Sequence, residues 1–127
     1  MDRRIHTITP TQYEKTRETF DVAISISSFE HDGLGRYGDP LNPQGDIEAM
    51  RLMRRIVRPG GVLFLAVPVG LDVLEWNAQR IYGEKRLPLL LEGWKQLDCF
   101  GYEDKYLHTK HNGIYQPVFI LKNEPFF

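Results

Sequence analysis

The sequence predicts one α/β domain spanning residues 1–127, and three stretches carry that prediction. FDVAISISS (20–28) and VLFLAV (62–67) are short, apolar and rich in β-branched residues, as strands buried on both faces are. Between them, 47–57 repeats apolar residues at helical spacing. Strand, helix, strand is a βαβ unit, which pairs its two strands in parallel. Gln96 to Tyr102 and Gln116 to Leu121 read as two more strands, an antiparallel hairpin at the edge of a mostly parallel sheet.

The remaining elements follow in chain order. Ile5 to Thr9 reads as a short strand stopped by Pro10. TPTQYEKTR (9–17) puts a threonine cap before a polar, helix-tolerant stretch. Residues 29–45 are loop, rich in glycine, with two prolines and no apolar period. Asp46 then caps the helix over 47–57, where Ala49, Leu52, Met53 and Ile56 form one apolar face. Arg51, Arg54, Arg55 and Arg58 repeat that spacing on the other side. Arg58-Pro59-Gly60-Gly61 ends the helix. Asn77 to Tyr82 is a short extended piece. Glu84 to Glu92 reads as a helix in which Pro88 lies in the first turn or makes a kink. Gln96 to Leu121 supplies the hairpin around the polar loop EDKYLHTKHNG, and the tail NEPFF carries two aromatics.

Composition excludes several classes. Net charge is −1 and charged residues make up 26%, so bulk charge argues for neither nucleic acid nor an anionic membrane. The arginine repeat at 51–58 reads as a solvated face. The apolar run VLFLAVPVGL is too short to span a bilayer and contains a proline. The N-terminus lacks the apolar stretch of a secretory signal. Cys99 is the only cysteine, which suits a reducing, cytoplasmic setting and a packed thiol. His108-x-x-His111 has no third ligand nearby, so no metal site is expected. Ser27 and Ser28 lack a nucleophile-elbow pattern. Trp76 and Trp94 read as core or rim aromatics.

Gly33-x-Gly35-x-x-Gly38 has the spacing of a dinucleotide-binding loop. Such a loop needs a helix opening directly behind the last glycine and an acid about 20 residues on, at the end of the next strand. Here Asp39, Pro40 and Pro43 follow, and the next strand ends in Val67-Pro68. The glycines therefore read as shaping a loop. Ligands of open parallel sheets bind beyond the carboxyl ends of the strands, and 29–45 is such a segment. It concentrates Glu30, His31, Asp32, Arg36, Tyr37 and Asp39. A solvated loop whose charges pair among themselves is the alternative.

FDVAISISSFEH, a helix, and RIVRPGGVLFLAVP together resemble the second half of class I S-adenosylmethionine-dependent methyltransferases. EHDGLGRYGDPLNPQGD (30–46), AVPVG (66–70), NAQRIYG (77–83) and RLPLLLEGW (86–94) resemble, more closely, an uncharacterised methyltransferase-like family with the pattern EH-x-GLGRYGDP…NAHRIYG. Gln79 stands where that pattern has histidine. The resemblance implies a Rossmann-like methyltransferase sheet with strand order 3-2-1-4-5-7-6, S-adenosylmethionine as cofactor, and a substrate-facing loop at 29–46. It implies Glu30 or His31 as the group that deprotonates or orients the acceptor. Arg36, Tyr37, Arg80 and Tyr82 would bind a polar or anionic substrate, with Asp39 and Asn77 orienting them.

The glycine-rich turn and the ribose-binding acid of that fold have no counterpart here, so the sheet is expected to be partial, lacking the first two strands. Strand 20–28 then becomes an open edge, and four strands with helices on one face bury little. The expected outcomes are a fragment of a longer protein, a truncated paralogue inactive alone, or half of an assembly. In the last case a second copy or a partner chain joins at 20–28, unless the N-terminal segment folds back onto that edge. The rival to the enzyme is a non-catalytic module that binds a protein or oligomerises.

Overall fold

A computed structural model describes residues 2–112 and 115–124. Phe126 and Phe127 of the tail, and Gly113 at the end of the polar loop, lie outside the described residues. Ile5 to Thr9 is not a strand. Instead Thr9 caps α1 (Pro10–Thr16), with its hydroxyl accepting from the Gln12 amide and the Gln12 side chain accepting from the Thr9 amide. Pro10 fits at the first helical position, where its missing N–H leaves nothing unpaired.

Strand β1 (Phe20–Ile26) pairs in parallel with β2 (Val57–Ala66), and α2 (Gly45–Ile56) connects them. Strand β2 begins five residues before the predicted start. Val57 is already extended after the helix, and Pro59, Gly60 and Gly61 pass β1 as an irregularity between Phe20 and Val22. Two short strands, β3 (Val73–Glu75) and β4 (Gln79–Ile81), form a separate antiparallel ribbon. Then come α3 (Arg86–Leu91), with Pro88 in its first turn, β5 (Trp94–Phe100) and β6 (Val118–Asn123).

The main sheet has the order β1-β2-β6-β5. Only β1 and β2 are parallel; β6 is antiparallel to both β2 and β5. This overturns the expected mostly parallel, Rossmann-like sheet. The cause is the return path. After β5 the described part of the connection holds only a short 3-10 turn (Asp104–His108), and β6 lies between β5 and β2, antiparallel to both.

The core lies on one face of this sheet. Leu63 and Leu65 of β2 and Phe119 and Leu121 of β6 pack with Ile47 and Met50 of α2 and Leu87 and Leu90 of α3. The helix thus presents 47, 50 and 53 to the core. Leu52 and Ile56 of the predicted stripe face Tyr13 of α1. Arg54, read as part of a solvated face, is half-buried. Its backbone carbonyl accepts from buried Asn123, which also donates to the Val57 carbonyl. That bond satisfies one of the carbonyls a helix C-terminus leaves open.

Strand β1 is at the sheet edge and, against expectation, is not buried on both faces. Phe20, Val22, Ile24 and Ile26 are exposed. Their apolar character suggested burial, yet among the described residues no helix packs on that side of the sheet.

Gly61 marks a close approach between β1 and β2. A Cβ there would lie 2.8 Å from the Asp21 carbonyl oxygen and 2.7 Å from a Val57 methyl. Gly61→Ala is expected to lower stability by about 1–3 kcal/mol, read by urea unfolding.

Candidate functional site

Residues after β1 and residues after β2 meet beyond the carboxyl ends of the two parallel strands. The first segment is the glycine loop. Gly33 has φ +80°, and a Cβ on it would lie 2.1 Å from the Asn42 carbonyl oxygen, so no other residue fits. The Asn42 amide donates to the Gly33 carbonyl at 2.8 Å, closing the loop on itself. Asp39 points into this loop, accepting from the Gly33 amide at 2.7 Å. Burial works against its charge, but the amides of Gly33, Gly35 and Tyr37 outweigh it and hold the carboxyl below its ordinary range.

Beneath the loop sits a buried charge cluster. Asp46 is 0% exposed and lies in the first turn of α2, where it is no cap; the position before the helix is Gln44, whose side chain makes no capping bond. Tyr82, also 0% exposed, donates its hydroxyl to Asp46 at 2.8 Å. Arg86 donates Nη2 to both carboxylate oxygens at 3.2 and 3.1 Å, and Arg80 Nε lies 3.6 Å away. Arg80 also donates to the carbonyls of Glu30, Asp32 and Asn42, the Asp32 bond being 2.6 Å. One guanidinium therefore ties β4 to both ends of the glycine loop. Burial, and then the neighbouring Asp46 carboxylate, push the Tyr82 hydroxyl far above its ordinary pKa, so it stays a donor.

The cleft above the cluster holds about 420 Å³, within the usual range for small-molecule sites. Its walls are Leu34, Leu41 and Pro43 of the loop and Val73, Leu74 and Trp76 of the β3–β4 ribbon. Arg80, Arg86, Asn42 and Asp72 contribute the polar lining. Asp72 is occupied by the entry to α3, accepting from the amides of Gly83, Lys85 and Arg86. Arg86 Nε is buried and has no hydrogen-bond partner among the described residues.

The sequence-derived site residues divide by location. Arg80 lines the cleft, but its donors go to backbone and to Asp46. Tyr82 is beneath it. Glu30 is fully buried, and neither carboxylate oxygen makes a full hydrogen bond. His31 is half-buried; its Nδ1–H donates to the Ala78 carbonyl at 2.6 Å, and its ring meets Tyr37 edge-on at 5.9 Å. Arg36, Tyr37 and Asn77 are exposed and outside the cleft lining, with Asn77 in a left-handed turn at φ +53°. Sequence reasoning took Asp46 for a cap and passed over Arg86, Leu74 and Trp76 as site residues. The available signal was two arginines flanking the apolar Ile81-Tyr82 pair, which require a buried acid if that pair is core. Cys99 is half-buried, its thiol pushed up to about 11 by burial and by Asp98, as suits a packed thiol.

A sequence model described as "Caenorhabditis protein of unknown function, DUF268" matches residues 2–113, most of the chain. The chain belongs to this family. The DUF268 chain is also 32% identical over 83 residues, 65% of its length, to a Caenorhabditis elegans protein named transcription initiation factor TFIID subunit 1. That stretch is 4% of the longer protein. No helix among the described residues is long and apolar enough to cross a membrane.

Glu30 gives a pH test. Burial, the largest influence, raises its pKa, against the smaller pull of its own amide, of His31 and of Ser27. A carboxyl whose folded pKa is raised costs stability once the unfolded chain ionises, as pH rises through the ordinary carboxylate range, and none below it. Glu30→Gln is therefore expected to be more stable than wild type by about 1 kcal/mol at pH 8, with the gap closing by pH 4. Thermal unfolding at the two pH values reads it.

Proposed function

We propose that this DUF268 chain is a binding domain of methyltransferase-like type. The cleft takes a small molecule with an apolar body and one acidic or acceptor group, and the chain alone does not transfer methyl groups. The observation that carries the reading is the cleft itself: apolar walls of Leu41, Val73, Leu74 and Trp76 beside the Arg86 side chain, which is 31% exposed. A partly exposed guanidinium at the edge of apolar walls favours an acidic or acceptor group on the ligand. Trp76 is 84% exposed, an aromatic surface open to contact.

The methyltransferase-like part rests on the resemblance in sequence. The cleft is lined by Leu34, Leu41 and Pro43 of the loop that this resemblance assigns to the acceptor. S-adenosylmethionine enters through the resemblance alone. Glu30 and His31 remain the candidate bases for such chemistry, with access to Glu30 requiring the loop to open. The similarity to the TFIID subunit supports the reading of the chain as a module, since a related segment occupies a small part of a far longer polypeptide. The exposed apolar face of the sheet favours a second, compatible role in protein binding or self-association.

The test is amide and indole shift mapping by NMR with 3-phenylpropionate, its neutral amide, S-adenosylmethionine and S-adenosylhomocysteine. Expected are shifts at Gly33, Asn42, Leu74 and Trp76 with the acid, weaker shifts with the amide, and loss of both in Leu74→Glu. A folded protein unmoved by the acid at millimolar concentration would end the cleft reading. Binding of S-adenosylmethionine to this chain alone would contradict the claim that it cannot act by itself.

A further inference from the structure

Strand pairing determines which side chains share a sheet face. Val22 lies opposite Val62, Ile24 opposite Phe64 and Ile26 opposite Ala66. Phe64 is opposite Ile120, and Phe100 is opposite Val118. All of these lie on the face away from α2 and α3. Ile24 is 69% exposed, Ile26 65% and Phe100 58%. Lys95, Lys122 and Asp98 stand on the same face by the same pairing, gathered toward β5. The face is an apolar field with a polar margin, the anatomy of a protein interface. A sheet normally has both faces covered, or one covered and the other polar.

We propose that this face packs against the same face of a second copy, as a two-fold β-sandwich. The apolar area is the first argument. Applying the exposures to side chains of about 150–200 Å² gives on the order of 600 Å² per copy. Two copies then bury about 1,200 Å², the lower end of what a stable specific interface needs. Shape is the second: two twisted sheets pack face to face about 10 Å apart without inserting a helix. An isologous contact needs a self-complementary surface, and an apolar field with charges of both signs at one margin is one. A net charge of −1 sets little repulsion between copies. Edge pairing of β1 with β1 would leave these side chains in water, so the face and not the edge is the contact.

Light scattering and sedimentation of the full chain test this. The expected mass is twice 14.8 kDa at tens of micromolar, falling to a folded monomer in Ile24→Lys, in the milder, strand-compatible Ile24→Thr, and in Phe100→Lys on the far strand. Leu89→Lys, on exposed α3, is expected to keep the dimer. A folded wild-type monomer over the whole concentration range would overturn the proposal. So would a dimer that survives Phe100→Lys, because that result assigns the contact to the β1 edge. None of these readouts depends on the cleft or its ligand.

Discussion

One buried carboxylate organises the cleft side of this protein. Asp46 is out of water and faces two guanidiniums and a phenol. Removing such charges from solvent costs several kcal/mol per ion, and only good geometry offsets that cost. Here the geometry is supplied from three places. Arg80 comes from β4, Tyr82 from the residue just after it, and Arg86 from the start of α3. Arg80 then spends its remaining donors on carbonyls of the glycine loop, so the same side chain that neutralises Asp46 also sets the loop's position. The cleft walls are consequences: the loop brings Leu41 and Pro43, and the ribbon brings Val73, Leu74 and Trp76.

The two faces of the sheet are treated differently by the same chain. On one, α2 and α3 close a core around Leu63, Leu65, Phe119 and Leu121. On the other, residues of equal apolarity meet no described helix. Such a face carries a standing drive toward association, while the cleft lies at the strand ends, where a partner on the face would leave it open. Ligand binding and assembly are therefore compatible within one domain.

What was legible in the sequence was local. FDVAISI and VLFLA announced strands because β-branched runs between turn residues have few alternatives, and Thr9 with Gln12 announced a helix start. The extent of β2 was missed because Pro59-Gly60-Gly61 reads as a stop, whereas here it forms an irregularity inside the strand. The antiparallel pairing of β5 with β6 was expected; the antiparallel contact of β6 with β2 was not, because the local pattern of a hairpin does not say which of its strands meets the rest of the sheet. Burial of β1 was misjudged for a related reason: composition reports that a strand is fit for a core, and only the neighbouring layers decide whether one exists. At the site, loop residues 30–39 were recognised as a dense polar group. Asp46 was not, because an acid at the start of a helix has an ordinary local explanation, and its partners lie 34 to 40 residues away.

The central claim is that Asp46 and Arg80 act as one unit. A double-mutant cycle of Asp46→Asn and Arg80→Met, with stability read by urea unfolding, tests it most directly. The account predicts a coupling energy of about 2 kcal/mol, each single change already removing most of what the pair contributes. Additive losses, agreeing within about 0.5 kcal/mol, would contradict it and leave the cleft without its supposed foundation.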